Sequence, residues 1–196
     1  MIEIICAIIT AAGTVITAYM SKKNKKSIGK WKKESEVFNK QKINNIAIIL
    51  GELYNLLHIL RASRIYIIQP HPLTNTLYIS VGIEVVKRGV TKMSYSIKRL
   101  PMAETANFCK DLATKDYQFF NNVDIDCTDK RAKALLSTNG TVQVAIKRLC
   151  DKNNNWIGNL CVDSTEAGVL NIECMELIIS EAANNIQYIL PEYEEV

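Results

Sequence analysis

The sequence predicts an α+β fold: an antiparallel sheet of five to six strands with N- and C-terminal helices on one face, preceded by a single transmembrane helix. Three observations carry this. Residues 4–21, IICAIITAAGTVITAYMS, hold no charge and run into a block of lysines. Two stretches, 43–62 and 171–190, repeat apolar residues at helical spacing. Between them lie short β-rich runs broken by Gly, Pro and Asn turns. The 196 residues, 48% hydrophobic and 22% charged, suit one domain with an appendage and exclude a multidomain enzyme or a disordered tail.

The first element is the apolar run. Eighteen helical residues span about 27 Å, close to the hydrocarbon thickness of a bilayer. A cleaved secretory leader would place its positive charge before the run and a small-residue site after it. Here Glu3 precedes and Lys22, Lys23, Lys25, Lys26, Lys30, Lys32 and Lys33 follow. Lysines beside a span stay cytoplasmic, so the expected location is the inner membrane of a cell, single-pass, with residues 22–196 in the cytoplasm. The net charge of +4 is concentrated in that block; residues 34–196 carry 17 basic and 19 acidic residues. No basic surface is left on the folded part, so a nucleic-acid partner is not expected. Lys22, Lys23, Lys25, Lys26 and Trp31 are instead assigned to the membrane interface.

Within the span, Ala7, Ala11, Thr14 and Ala18 form one stripe of small residues. Small and hydroxyl-bearing residues let membrane helices approach closely. Two readings follow: self-association of an anchor, or a membrane-active oligomer that acts as a lysis or defence effector. The next helix, 43–62, places Ile43, Ile46, Leu50, Leu53, Leu57 and Leu60 at alternating steps of three and four, the seam of a short coiled coil. That stripe serves a parallel homodimer or packs on the domain's own sheet, and both can hold on different faces.

The body then reads in order. Residues 64–69 form a strand stopped by Pro70-His71-Pro72. A second strand starts at Leu77 and continues towards Val86, and residues 92–99 are a candidate third. Pro101 opens a helix over 102–113. Residues 114–130 are polar and turn-rich, and 129–137 form a short helix. Residues 141–146 alternate as a strand, 151–155 turn, and 156–163 return. Residues 171–190 close the domain as an amphipathic helix that packs with the first one on one sheet face. The domain organisation is therefore 1–21 anchor, 22–42 basic linker, 43–190 folded domain including the helix 43–62, and 191–196 acidic tail.

From about residue 53 to 190 the chain resembles a GAF domain, the PAS-like sensor fold. The resemblance rests on Arg64-Ile65-Tyr66-Ile67-Ile68 as the first strand and Leu100-Pro101-Met102 as the step into the internal helix. It rests further on Leu135 to Ile146 as the approach to the penultimate strand, and on Ile157-Gly158-Asn159-Leu160-Cys161-Val162-Asp163 as the last. It implies a pocket for an unknown small molecule, with Gln69, His71, Tyr78 and Asn107 as the candidate lining. The Asn-Lys-x-Phe signature of cyclic-nucleotide-binding members is absent, as is the bilin-attaching cysteine context. The layout is also similar to short membrane-anchored proteins of bacteriophages, a source that the Lys/Asn/Ile-rich composition suits.

No residues suggest catalysis. His58 and His71 are the only histidines, and the six cysteines (Cys6, Cys109, Cys127, Cys150, Cys161, Cys174) form no C-x-x-C pair. Cys150 and Cys161 flank the hairpin turn as candidate cross-strand neighbours. Asp124, Asp126 and Asp129 lack the Gly and Glu of a calcium loop. No Gly-rich phosphate loop is present. The expectation is a non-enzymatic, membrane-anchored sensor or interaction module, a homo-oligomer without cofactor or metal.

Overall fold

The computed structural model describes residues 36–73, 76–171 and 173–193. The proposed span over 1–21, with Ala7, Ala11, Thr14 and Ala18, lies outside the described residues, as do Lys22, Lys23, Lys25, Lys26 and Trp31. No helix among the described residues is long and apolar enough to cross a membrane. The chain divides into two units, Met1–Asn44 and Asn45–Val196. In the first, residues 36–44 are helical, and Val37, Phe38 and Ile43 are exposed.

The second unit opens on helix α1 (45–59), which buries Ile49, Leu53 and Leu56 at steps of four and three, and Leu60 in the turn after it continues the stripe. Leu53 and Leu60, read as part of a coiled-coil seam, are thus core residues of their own domain. Ile46, Leu50 and Leu57 flank that stripe, half-buried. Ile49 and Leu56 fall off a strict seam, yet they lie on the buried stripe. The reason is that a helix on a sheet buries an apolar face some 100° wide, broader than a two-helix seam.

Six strands follow: β1 (Arg64–Leu73), β2 (Thr76–Val86), β3 (Leu100–Pro101), β4 (Tyr117–Phe120), β5 (Gln143–Cys150) and β6 (Trp156–Ser164). They form one sheet in the order β3-β2-β1-β6-β5-β4, with every pairing antiparallel. The helices are α2 (Ala106–Thr114), α3 (Val123–Asp126), α4 (Lys130–Thr138) and α5 (Met175–Gln187). Residues on one sheet face (Ile65, Ile67, Ala145, Leu160, Val162) join the stripe of α1 and the buried side of α5 in a first core. Residues on the other face (Tyr66, Ile68, Val144, Ile146, Cys161) meet Phe108, Leu112, Val123, Ala132 and Leu136 of α2 to α4 in a second. The helices at the two ends of the domain do share one face, tied by Asn45 Nδ2 to Ile189 O at 3.3 Å.

Four elements differ from the sequence reading. β1 does not stop at Pro70-His71-Pro72 but continues to Leu73. Its pairing with β6 ends at Ile68, so both prolines lie where no ladder on that side needs their missing N–H. Residues 92–99 are not a strand: the Glu84 carboxylate accepts Met93 N and Ser94 N and draws 93–95 into a 3-10 turn. β4 lies inside the stretch read as polar turns. Finally, α5 starts at Met175 because Cys174, at φ 65°, is left-handed and breaks the helical path. Asp129 caps α4 as its sequence position indicates, accepting from the backbone N–H of Arg131 and Ala132.

Candidate functional site

The frame of the domain is one buried ion pair. Arg64 Nε and Nη2 donate to Asp163 Oδ1 and Oδ2 at 2.9 and 3.0 Å, and both side chains are fully buried. Nη1 donates to the carbonyls of Thr91 and Asn139, and Thr141 Oγ1 donates to Asp163 Oδ2 at 2.6 Å. Burial pushes the Asp163 carboxyl up, and Arg64 and Thr141 pull against it. A guanidinium whose five donors match a carboxylate and nearby carbonyls is the arrangement in which a buried pair is satisfied. It holds two loops against the central strands β1 and β6.

Three of the four proposed pocket residues come together, on the α1/α5 face of the sheet. Beyond the bulge at Gly82, Gln69 pairs with Ser80 and His71 with Tyr78. Gln69 Nε2 donates to Pro191 O at 2.9 Å. His71 Nε2 shares a hydrogen bond with Ser80 Oγ at 2.8 Å, and its ring stacks on Tyr193 at 4.3 Å and on Tyr78 at 6.0 Å. A Cβ at Gly82 would stand 2.8 Å from Gln69 Oε1 and 3.3 Å from Tyr193. The start of the stretch read as an acidic tail thus lies over these residues. Asn107 stands apart, exposed on α2, whose buried side belongs to the opposite core.

The other face carries the second core, with polar groups at its β4–β5–β6 end. Asn159 Nδ2 donates to Leu112 O at 2.9 Å, and Trp156 Nε1 donates to Asn159 Oδ1 at 2.8 Å. Gln118 Nε2 and Oε1 and Arg148 Nε are buried there with no hydrogen-bond partner. Sequence reading missed these two residues. The available signal was Tyr117-Gln118-Phe119-Phe120, an aromatic β-former run with one polar residue set inside it.

Two open concavities lie elsewhere. One of about 590 Å³ separates β4 from the start of α5, lined by Tyr117, Phe119, Cys174 and Leu177 among others. One of about 660 Å³ lies at the end of α1, lined by Tyr54, His58, Arg61 and Lys87 among others. Neither is lined by Gln69, His71, Tyr78 or Asn107. Burial, with a smaller push from Glu176, raises Tyr117 to about 12. Burial also raises the thiols of Cys109, Cys127 and Cys161, which opposes thiolate formation at neutral pH. Cys161 faces Ile146 across the ladder, and Cys150 faces Trp156, so the two cysteines are not cross-strand neighbours. Among the described residues no group of three or more His, Cys, Asp or Glu could hold a metal ion.

Solved structures share this arrangement. The GAF3 domain of a Synechocystis protein, in its photoproduct state, superposes with a TM-score of 0.59 at 12% identity, over 72% of this chain and 89% of that one. The fold is that of a GAF domain. The phycocyanobilin-bound GAF domain of a cyanobacterial phytochrome matches with a TM-score of 0.57 at 14% identity, over 73% and 82% of the two chains. The GAF domain region of a Geobacter sulfurreducens protein described as a membrane protein matches at 0.55 and 18% identity, over 78% and 96%. No family model matches the sequence, and no curated protein matches it either.

Proposed function

We propose that this chain is a membrane-anchored cytoplasmic sensor or interaction module, acting as a homodimer on the inner membrane and without a catalytic step of its own. The observation that carries the reading is the GAF fold itself, which solved neighbours use in a cyanobacterial phytochrome and in a protein described as a membrane protein. The phycocyanobilin of one neighbour is not carried over, because the sequence lacks the cysteine context that attaches it. The apolar span and its lysine block supply the anchor. Exposed Ile48, Tyr54 and Ile59 on α1, with Leu177 on α5 and Tyr188 just past its end, support a dimer face on the helical side of the domain. Ligand binding would change how α1 packs on the sheet, and a ligand does that only by binding two packings unequally.

The test uses the full chain in detergent. Denaturing mass spectrometry is expected to show a co-purified small molecule, and light scattering a dimer. Exposed Cys174 is expected to react with a membrane-impermeant maleimide only after cells are permeabilised. An empty monomer, or Cys174 labelled on intact cells, refutes the reading.

A further inference from the structure

Among the described residues, three buried side-chain polar atoms lack a partner, and they belong to neighbours in the sheet. Gln118 is only 7% exposed, yet both ends of its amide are unpaired. Tyr117 and Phe119 pack against the first core and Phe120 against the second, so alternation aims Gln118 into the second face, opposite Ile146. Arg148 lies two residues on from Ile146 on the same face, opposite Asn159, whose amide reaches Leu112 of α2. Such diagonal neighbours stand about 7–8 Å apart, within reach of long side chains.

The rest of this polar cluster is spoken for. Asn159 is engaged by Trp156 and by the Leu112 carbonyl, and Asp116 by Lys147. Arg148 Nη2 donates to Asn154 O at 3.1 Å, which fixes the guanidinium while leaving Nε open. Arg148 is half-buried, with Nη2 exposed at the turn and Nε inside, and among the described residues no carboxylate pairs with it. Two N–H donors on adjacent strands, one of them cationic, match the two oxygens of a carboxylate. The remaining acceptor, Gln118 Oε1, matches a hydroxyl or ammonium donor next to that carboxylate.

We propose that Gln118 and Arg148 form the recognition site for a small carboxylic acid bearing an adjacent hydroxyl or amino group, bound beneath α2 beside Trp156. This rests on the sensor reading above and names the class of its ligand. It also accounts for Gln118 itself: a buried amide without partners weakens the fold, and a ligand that completes its hydrogen bonds offsets that loss.

The full chain carrying Trp31→Phe, which leaves Trp156 as its single tryptophan, provides the readout. Lactate or alanine is expected to change Trp156 fluorescence saturably and to raise the Tm. Acetate should bind at least about tenfold more weakly, and lactamide should not bind. Gln118→Leu and Arg148→Met should each abolish the response, while Gln118→Leu raises the Tm of the unliganded protein. Gln118→Glu preserves volume, gives Arg148 an internal carboxylate and should block binding without loss of folding. The site is refuted by lack of response to both lactate and alanine, by binding that survives all three variants, or by a lower unliganded Tm in Gln118→Leu. A co-purified molecule that stays bound in Gln118→Leu and Arg148→Met refutes this site while leaving the sensor reading intact.

Discussion

Replacing Asp163 with Asn is expected to be among the most damaging isosteric changes in this domain. The carboxylate accepts Arg64 Nε at 2.9 Å, Arg64 Nη2 at 3.0 Å and Thr141 Oγ1 at 2.6 Å, out of contact with water. The amide keeps the shape but turns an N–H₂ donor towards a guanidinium that is also all donors, and it strands a buried positive charge. Removing one partner of such a pair costs about 3–5 kcal/mol, a large share of the roughly 5–15 kcal/mol that holds a domain of this size. Replacing both partners, Arg64→Met with Asp163→Leu, strands no charge. It leaves the Thr91 and Asn139 carbonyls and the Thr141 hydroxyl without their Arg64 and Asp163 partners, about 1–3 kcal/mol each. Urea unfolding of the full chain, followed by tryptophan fluorescence, reads both. The reasoning fails if Asp163→Asn lies within about 1 kcal/mol of the parent, as it would for an exposed pair, or if it is as stable as Thr141→Val within error.

Three further outcomes follow from the same structure. Tyr66, Tyr117 and the thiols of Cys109, Cys127 and Cys161 all titrate higher in the folded domain, chiefly through burial, so the unfolded chain loses those protons first. Stability is therefore expected to fall as pH rises above the ordinary thiol value of 9.0, with the Tyr117 share lost between 10.0 and about 12 and removed by Tyr117→Phe; a flat urea midpoint from about pH 8 to 11 contradicts this. Gly158→Ala would set a Cβ 2.7 Å from the backbone oxygen of Ile68 and is expected to cost about 1–3 kcal/mol, whereas Gly51→Ala, with open space around it, should gain roughly 0.5–1 kcal/mol; thermal melts that rank them otherwise refute the packing. Leu53→Ala should cost about 2–5 kcal/mol, while Ile43→Ala, at a position 68% exposed, should leave the melting curve of the domain in place and weaken only association measured by light scattering.

Much of the architecture was legible because local chemistry and tertiary demand agreed. Residues 141–146 alternate, Asp151 to Asn155 is a turn run, and 156–163 reads as the returning strand; the hairpin formed, with Asp151 Oδ1 accepting the N–H of Asn153 and of Asn155. Asp129 sits where an N-cap is needed and caps α4. The candidate site was less legible. Gln69 and His71 share a face because β1 alternates without a break, whereas Tyr78 joins them only through the bulge at Gly82, which shifts β2 by one residue. Asn107 sits on α2, and nothing local relates a helix position to a strand forty residues away.

The residues alone determined the periodicities: an uncharged run long enough for a bilayer, two amphipathic helices, and alternating strands between them. These are set by spacing along the chain, which every residue carries with it. Tertiary structure alone decided which apolar stripe of α1 became the core, that two prolines could lie in β1, that Arg64 would find Asp163 ninety-nine residues away, and that Gln118 and Arg148 would share one face with atoms to spare. Each depends on what stands opposite once the sheet has formed, and the free energy of a buried polar or apolar group is set by its partners there rather than by its neighbours in sequence.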